Sequence, residues 1–116
     1  MTLKEARILF TSYIALLILY MEASGYQPAL AEGMDRRTEK DPTTDHMTDS
    51  LHELGLAQDI DLYDKDGNWL KKTEDHKIFG EFWEALHNYC QWGGRFSKKD
   101  GNHYSFADPS LVGNRK

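Results

Sequence analysis

The side chains best equipped for chemistry fall in two short blocks, Ser50-Leu-His52-Glu-Leu-Gly55-Leu-Ala57-Gln-Asp59 and Trp92-Gly-Gly-Arg-Phe-Ser-Lys-Lys-Asp100-Gly-Asn-His103. His52, Asp59 and His103 are metal-ligand types. Three protein ligands on a tetrahedral ion leave a fourth position for water, which marks a catalytic centre rather than a structural one. A structural zinc site closes with four ligands rich in cysteine, and a chain whose single cysteine is Cys90 cannot build one. Two histidines and a carboxylate make a plausible hydrolytic zinc set. Asp100, three residues before His103, is the candidate general base. Zinc lowers the pKa of a bound water toward about 7, so a carboxylate one hydrogen bond away can take its proton and later hand it to a leaving amine. Arg37 or its neighbour Arg36 is the candidate cation for the oxyanion that develops on the attacked carbonyl.

These residues need particular elements to bring them together. On one helix His52 and Asp59 would lie about 10 Å apart along the axis, too far to share an ion held about 2 Å from each ligand. A turn must therefore intervene, and Gly55 can take the backbone conformation that returns His52 over the following strand. From Leu56 to Tyr63 the pattern alternates, with Leu56, Ile60 and Leu62 on one face and Ala57, Asp59 and Asp61 on the other. That is a strand buried on one side, with Asp59 on the face that does not pack. His103 comes from far along the chain, in a segment that Gly93, Gly94 and Gly101 allow to approach closely.

Spacing alone also admits a plainer reading, in which His52 packs in a turn, Asp59 is a solvated strand residue and His103 lies on the surface. Two competing motifs fail. His52-Glu53 does not continue into His-Glu-x-x-His, because Leu56 stands where the second histidine belongs. The acidic run at Asp64, Asp66 and Gly67 is no calcium loop, because Leu62 and Thr73 occupy its first and last ligand positions. His46, in a polar loop, His76, opening a helix, and His87, beside that helix's apolar face, are read as non-ligands.

Around the site, Leu3 to Ser24 carries apolar residues at helical spacing, with Gly25 as its stop. Tyr26 to Glu32 is expected as a strand and Gly33 to Asp49 as a polar loop, long enough to be a rim or lid. Tyr63 to Trp69 is a turn through Gly67, returning as a hairpin at Trp69 and Leu70. His76 to Gln91 is expected as one helix with an apolar stripe from Phe79 to Cys90, Gly93-Gly94 ends it, and a last strand follows near Tyr104 to Phe106. The sum is an α+β domain with a small antiparallel sheet and helices packed on one side.

Composition bounds the rest. With 116 residues, residues 1–116 form a single domain without room for a second module. A net charge of −5 and no cluster of Lys and Arg argue against nucleic acid. By helical phase Cys90 sits beside Phe82 and Leu86 as a small buried hydrophobe. The apolar run Ile8 to Met21 behind Lys4 and Arg7 imitates a secretory signal, but Thr11, Ser12 and Tyr13 interrupt it and no small-residue cleavage site follows. It is read as a core helix, too short and too polar to span a bilayer, so no stable membrane insertion is expected.

At the two blocks the sequence resembles the zinc peptidases of the VanY-like D-Ala-D-Ala carboxypeptidase and L-alanoyl-D-glutamate endopeptidase family, whose branches include phage endolysins. The family pattern Ser-x-His-x-x-Gly-x-Ala-x-Asp, followed by acid-x-x-His, is matched by Ser50 to Asp59 and by Asp100 to His103. The likeness extends through Phe79-Gly-Glu-Phe-Trp83 and Trp92-Gly-Gly-Arg-Phe96, and upstream to Gly33–Thr38. It implies a hedgehog-like and D-Ala-D-Ala-peptidase-like fold and a zinc held by His52, Asp59 and His103. It also implies Asp100 as catalytic acid and base and Arg37 as a substrate or transition-state contact; from the length alone, no separate wall-binding domain is expected. Carboxypeptidase relatives often carry Glu where this chain has Asp100, which together with the Trp-Gly-Gly-Arg-Phe block is more like the endolysin branch. The implied substrate is then the peptidoglycan stem peptide, cut between L-Ala and D-Glu, with D-Ala-D-Ala trimming or a non-catalytic zinc module as the alternatives. A monomer is expected, made in the cytoplasm of an infected bacterium and acting on the wall after the membrane is breached.

Overall fold

In the computed structural model, residues 1–31 and 51–112 are described. The first helix, α1 (Leu3–Ala23), starts where the Thr2 hydroxyl accepts the Glu5 N–H at 3.1 Å and the Glu5 carboxylate accepts the Thr2 N–H at 2.7 Å. This reciprocal cap satisfies two otherwise orphaned donors. The helix stops at Ser24, and Gly25 follows at φ +93°, a conformation that favours glycine. Ala6, Phe10, Leu17 and Met21 form its buried stripe. Phe10 meets Trp83 edge-on at 5.8 Å, and Tyr20 stacks on Phe82 at 4.3 Å. At 21 residues α1 is long and apolar enough to cross a membrane by length and composition. The argument from the shortness of Ile8–Met21 therefore does not hold. The buried stripe joins the helix to the domain, while Ile8, Leu16 and Leu19 stay exposed.

Four antiparallel strands form the sheet, in the order β1 (Gln27–Leu30), β2 (Ala57–Tyr63), β4 (His103–Phe106), β3 (Cys90–Trp92). With the helices this makes the expected α+β fold. Register assigns the two faces. Pro28 lies opposite Leu62, Gln58 opposite Tyr104, Trp92 opposite Tyr104 and Cys90 opposite Phe106. Leu56, Ile60, Leu62, Tyr104, Phe106, Trp92 and Cys90 are all buried and, with side chains alternating along each strand, share one face. That face packs against α1 and α2 (Lys77–Leu86), whose Phe79 and Trp83 are fully buried. Burying a side chain of this size contributes roughly 1.5–3 kcal/mol. Asp59, His103 and Ser105 share the other face.

The single helix expected over His76–Gln91 is shorter. It ends at Leu86, because His87 turns to extended backbone (φ −164°, ψ 152°) and its Nδ1 accepts the Tyr89 N–H at 3.0 Å. Tyr89 and Cys90 continue the apolar stripe in sequence, but their burial comes from the sheet: Cys90 opens β3. Cys90 is buried as expected, though not by its helical phase, and burial pushes its thiol up to about 12. β1 is also shorter than the strand expected over Tyr26–Glu32. The hairpin after β2 exists as a Tyr63–Trp69 bridge around Gly67 at φ +85°. Within it, the Asp64 carboxylate accepts the N–H groups of Asp66 and Asn68, both at 2.9 Å. A short helix, α3 (Pro109–Val112), closes the described residues.

Candidate metal centre

Backbone pairing sets two of the three candidate ligands. Asp59 lies directly opposite His103 across the β2–β4 ladder. The last strand was expected near Tyr104 to Phe106, and its actual start at His103 puts the histidine inside the sheet rather than in the glycine-bearing segment before it. The third ligand comes from the turn before β2. The Gly55 N–H donates to the His52 carbonyl at 3.1 Å and the Leu56 N–H to the Leu51 carbonyl at 2.9 Å. Gly55 sits at φ +74°, as the sequence demanded. Arg7 of α1 braces this turn from outside, its Nε donating to the Leu54 carbonyl at 2.7 Å.

The imidazole nitrogens converge on one oxygen. His52 Nε2 and His103 Nδ1 each lie 3.4 Å from Asp59 Oδ1, and one ligand atom from each residue lies within 4.8 Å of the other two. A charge-assisted hydrogen bond would draw such pairs to about 2.7–2.9 Å. Two ligands of a tetrahedral zinc, each about 2 Å from the ion, stand roughly 3.3 Å apart. Among the described residues, Asp59 Oδ1 and His103 Nε2 are buried without a hydrogen-bond partner. Leaving a buried polar atom unpaired costs about 1–3 kcal/mol. The donor types, their separation and the orphaned carboxylate oxygen all fit a divalent cation. Burial opposes the ionised Asp59 carboxyl, yet the facing His103 and His52 outweigh it and hold the carboxyl well below the usual carboxylate range.

Asp100 stands at the mouth of this cluster. Its Oδ2 is 4.0 Å from His103 Nδ1 and its side chain is 52% exposed, so it faces water while the ligands are half-buried or buried. The turn that carries it is tightly seated. The Asp100 N–H donates to the Gly93 carbonyl at 2.9 Å, and the His103 N–H to the Asp100 carbonyl at 3.1 Å. A Cβ on Gly93 would overlap the Asp100 carbonyl. Behind the turn, the Trp92 indole N–H donates to the Gly101 carbonyl at 2.8 Å, and the indole lies where a Cβ on Gly80 or Gly94 would collide with it. Sequence reasoning missed this support. Its signal was the Trp-Gly-Gly run together with Gly80 inside an otherwise apolar helix face.

Arg37, its alternative Arg36, Ser50, His46 and the 33–49 loop all lie outside the described residues. His76 and His87 stand apart from the cluster. His76 is buried at the start of α2, where its Nδ1 shares a 2.8 Å hydrogen bond with the Tyr104 hydroxyl. Burial pushes its pKa down and that of Tyr104 up. His87 packs among Tyr13, Tyr89 and Phe106.

A family model described as D-alanyl-D-alanine carboxypeptidase matches residues 44–106, a span that holds all three candidate ligands and Asp100. No curated protein matches the chain.

Proposed function

Because the chain belongs to the D-alanyl-D-alanine carboxypeptidase family, we propose that it is a zinc-dependent peptidase of the bacterial peptidoglycan stem peptide. The observation that carries this reading is the 3.4 Å approach of two histidine nitrogens to one Asp59 oxygen, within the span that matches the family. His52, Asp59 and His103 would hold the ion. Zinc in such a site supplies a Lewis acid for water and for the scissile carbonyl. Asp100 takes the proton of the attacking water on its carboxylate and returns it to the leaving amine nitrogen, as general base and then general acid. Its exposure beside a buried ligand suits a group that must meet both water and substrate. Arg37 or Arg36 supplies the positive charge at the developing oxyanion.

The favoured bond is the one between L-Ala and D-Glu, in the manner of a phage endolysin. Asp100 and the Trp92-Gly-Gly-Arg-Phe96 block support that branch. Such an enzyme, synthesised in the host cytoplasm, meets its substrate when the membrane is breached. The second reading is a D-Ala-D-Ala carboxypeptidase, favoured by the description of the matching family. Digestion of purified peptidoglycan followed by mass spectrometry separates the two. New N-terminal D-Glu supports the endopeptidase, whereas release of free D-Ala supports the carboxypeptidase. No released peptide or amino acid from zinc-loaded protein would leave only a metal-binding module.

A further inference from the structure

We propose that the exposed indole of Trp69 binds a sugar ring of the glycan to which the stem peptide is attached; this rests on the L-Ala–D-Glu reading above. Of the three tryptophans in the chain, two have structural work. Trp83 and Trp92 are buried, and each indole N–H donates to a backbone carbonyl. Trp69 is 52% exposed. Among the described residues its indole N–H has no hydrogen-bond partner and its ring meets no other aromatic ring; the Lys71 ammonium lies over it, 5.2 Å from the centroid. A lone exposed aromatic residue is ordinary, so its place in the fold decides what it can do.

Trp69 bridges Tyr63 in antiparallel register, and cross-strand partners share a face. Tyr63, Asp61 and Asp59 are two apart along β2, so their side chains stand on that same face. Trp69 therefore belongs to the face that bears the candidate ligands, opposite the one packed by α1 and α2. Four residues of strand at about 3.3 Å each put it roughly 13 Å from Asp59. Asp61 stands midway, half-buried, and Asn102 Nδ2 donates to its Oδ1 at 3.4 Å. A carboxylate acceptor beside a carboxamide donor suits sugar hydroxyls, which both give and accept hydrogen bonds.

The substrate's own dimensions match this spacing. On the N-terminal side of an L-Ala–D-Glu cut it continues for one amino acid and a lactyl linkage before the first sugar. Each such unit spans about 3.3–3.6 Å, so the first ring is centred at roughly 10 Å and the linked disaccharide covers the distance at which Trp69 stands. A pyranose presents a face of C–H groups, which suits the negative face of an aromatic ring. In the other direction the stem peptide brings a diamino acid with an ammonium group. Lys71 already sets a cation over Trp69, and like charge disfavours a second one there. The glycan is uncharged once its lactyl carboxyl is amide-linked, so it is the part of the substrate that fits.

The test measures zinc-loaded wild type, Trp69→Ala and Trp69→Phe on two soluble substrates: a stem peptide carrying its disaccharide, and the same peptide with an N-acetylated L-Ala in its place. Wild type should show a KM on the order of tenfold lower for the glycan-linked substrate, the worth of one aromatic contact. In Trp69→Ala the two KM values should converge, and Trp69→Phe should restore part of the difference. Equal KM values in wild type, a comparison that needs no variant, overturn the subsite; so does a difference that survives undiminished in Trp69→Ala. Either result leaves the peptidase reading intact. Release of free D-Ala alone overturns the L-Ala–D-Glu reading, and cleavage of neither substrate overturns the peptidase reading itself; the subsite falls with each.

Discussion

Asp59 and His103 face each other across the β2–β4 ladder with 3.4 Å between carboxylate oxygen and imidazole nitrogen. Forty-odd residues of chain separate them, yet the hydrogen-bonded backbone fixes their approach. Only His52 is delivered by a turn, and Arg7 pins that turn to α1 at 2.7 Å. Two of the three candidate ligands are thus as rigid as the sheet, which favours a cluster already shaped for an ion before one arrives.

Asp59→Asn should remove zinc while leaving the sheet in place. Loss of an outer-shell partner costs a metal site about 10–100-fold in affinity or activity, and loss of this ligand should exceed that. Metal analysis of purified protein with a parallel activity assay checks it. A chelator should reproduce the inactivation in wild type, and added zinc should reverse it.

Asp100→Ala should separate binding from turnover. Zinc content should match wild type, because Asp100 is not among the three converging residues, while wall lysis should fall by about 100–10,000-fold, the usual worth of general acid–base catalysis. Undiminished lysis would remove Asp100 from the mechanism.

How much of this was legible in the sequence differs by residue. Gly55 announced its turn, because an extended strand and a histidine seven residues from Asp59 leave no other way back. The alternation of Leu56, Ile60 and Leu62 placed Asp59 on the correct face. The end of α2 was hidden, since Tyr89 and Cys90 are apolar whether a helix or an edge strand buries them, and periodicity over so few residues does not distinguish the two. The pairing of Asp59 with His103 was hidden for a different reason: register is a non-local property, fixed only when β4 is added beside β2.

Gly80→Ala sets two effects against each other. Alanine is the better helix former by about 0.8–1 kcal/mol, but its Cβ would collide with the Trp92 indole, and overpacking typically costs 1–3 kcal/mol. The collision should win. Because Trp92 also holds the Gly101 carbonyl, activity should fall along with stability, as thermal melts and kinetics on one preparation would reveal. A more stable variant would mean that the indole has room to move.

Cys90 should be inert in the native protein. With its thiol pushed up to about 12, roughly one molecule in ten thousand carries a thiolate at pH 8, and the thiolate is the reactive form. Thiol reagents should label it only after denaturation. Rapid labelling of folded protein would contradict its burial in β3.

The metal-free protein should lose stability in acid through Asp59. Its folded pKa lies below the unfolded value near 3.9, so its contribution is complete above that value and disappears as pH falls through the folded one. Urea midpoints measured from about pH 5 downward should fall less steeply in Asp59→Asn than in wild type.

If the cluster takes zinc as proposed, the direct opposition of Asp59 and His103 also makes zinc uptake a proofreader of the fold. In a sheet, a slip of one residue sends every side chain of a strand to the opposite face. A molecule with β4 misaligned by one place would turn His103 inward and offer the ion an incomplete set. Fragments holding only one of the two sequence blocks should bind zinc weakly, unlike motifs whose ligands lie close together in the chain. Metal retention would then distinguish correctly registered molecules from compact but misaligned ones in the same preparation.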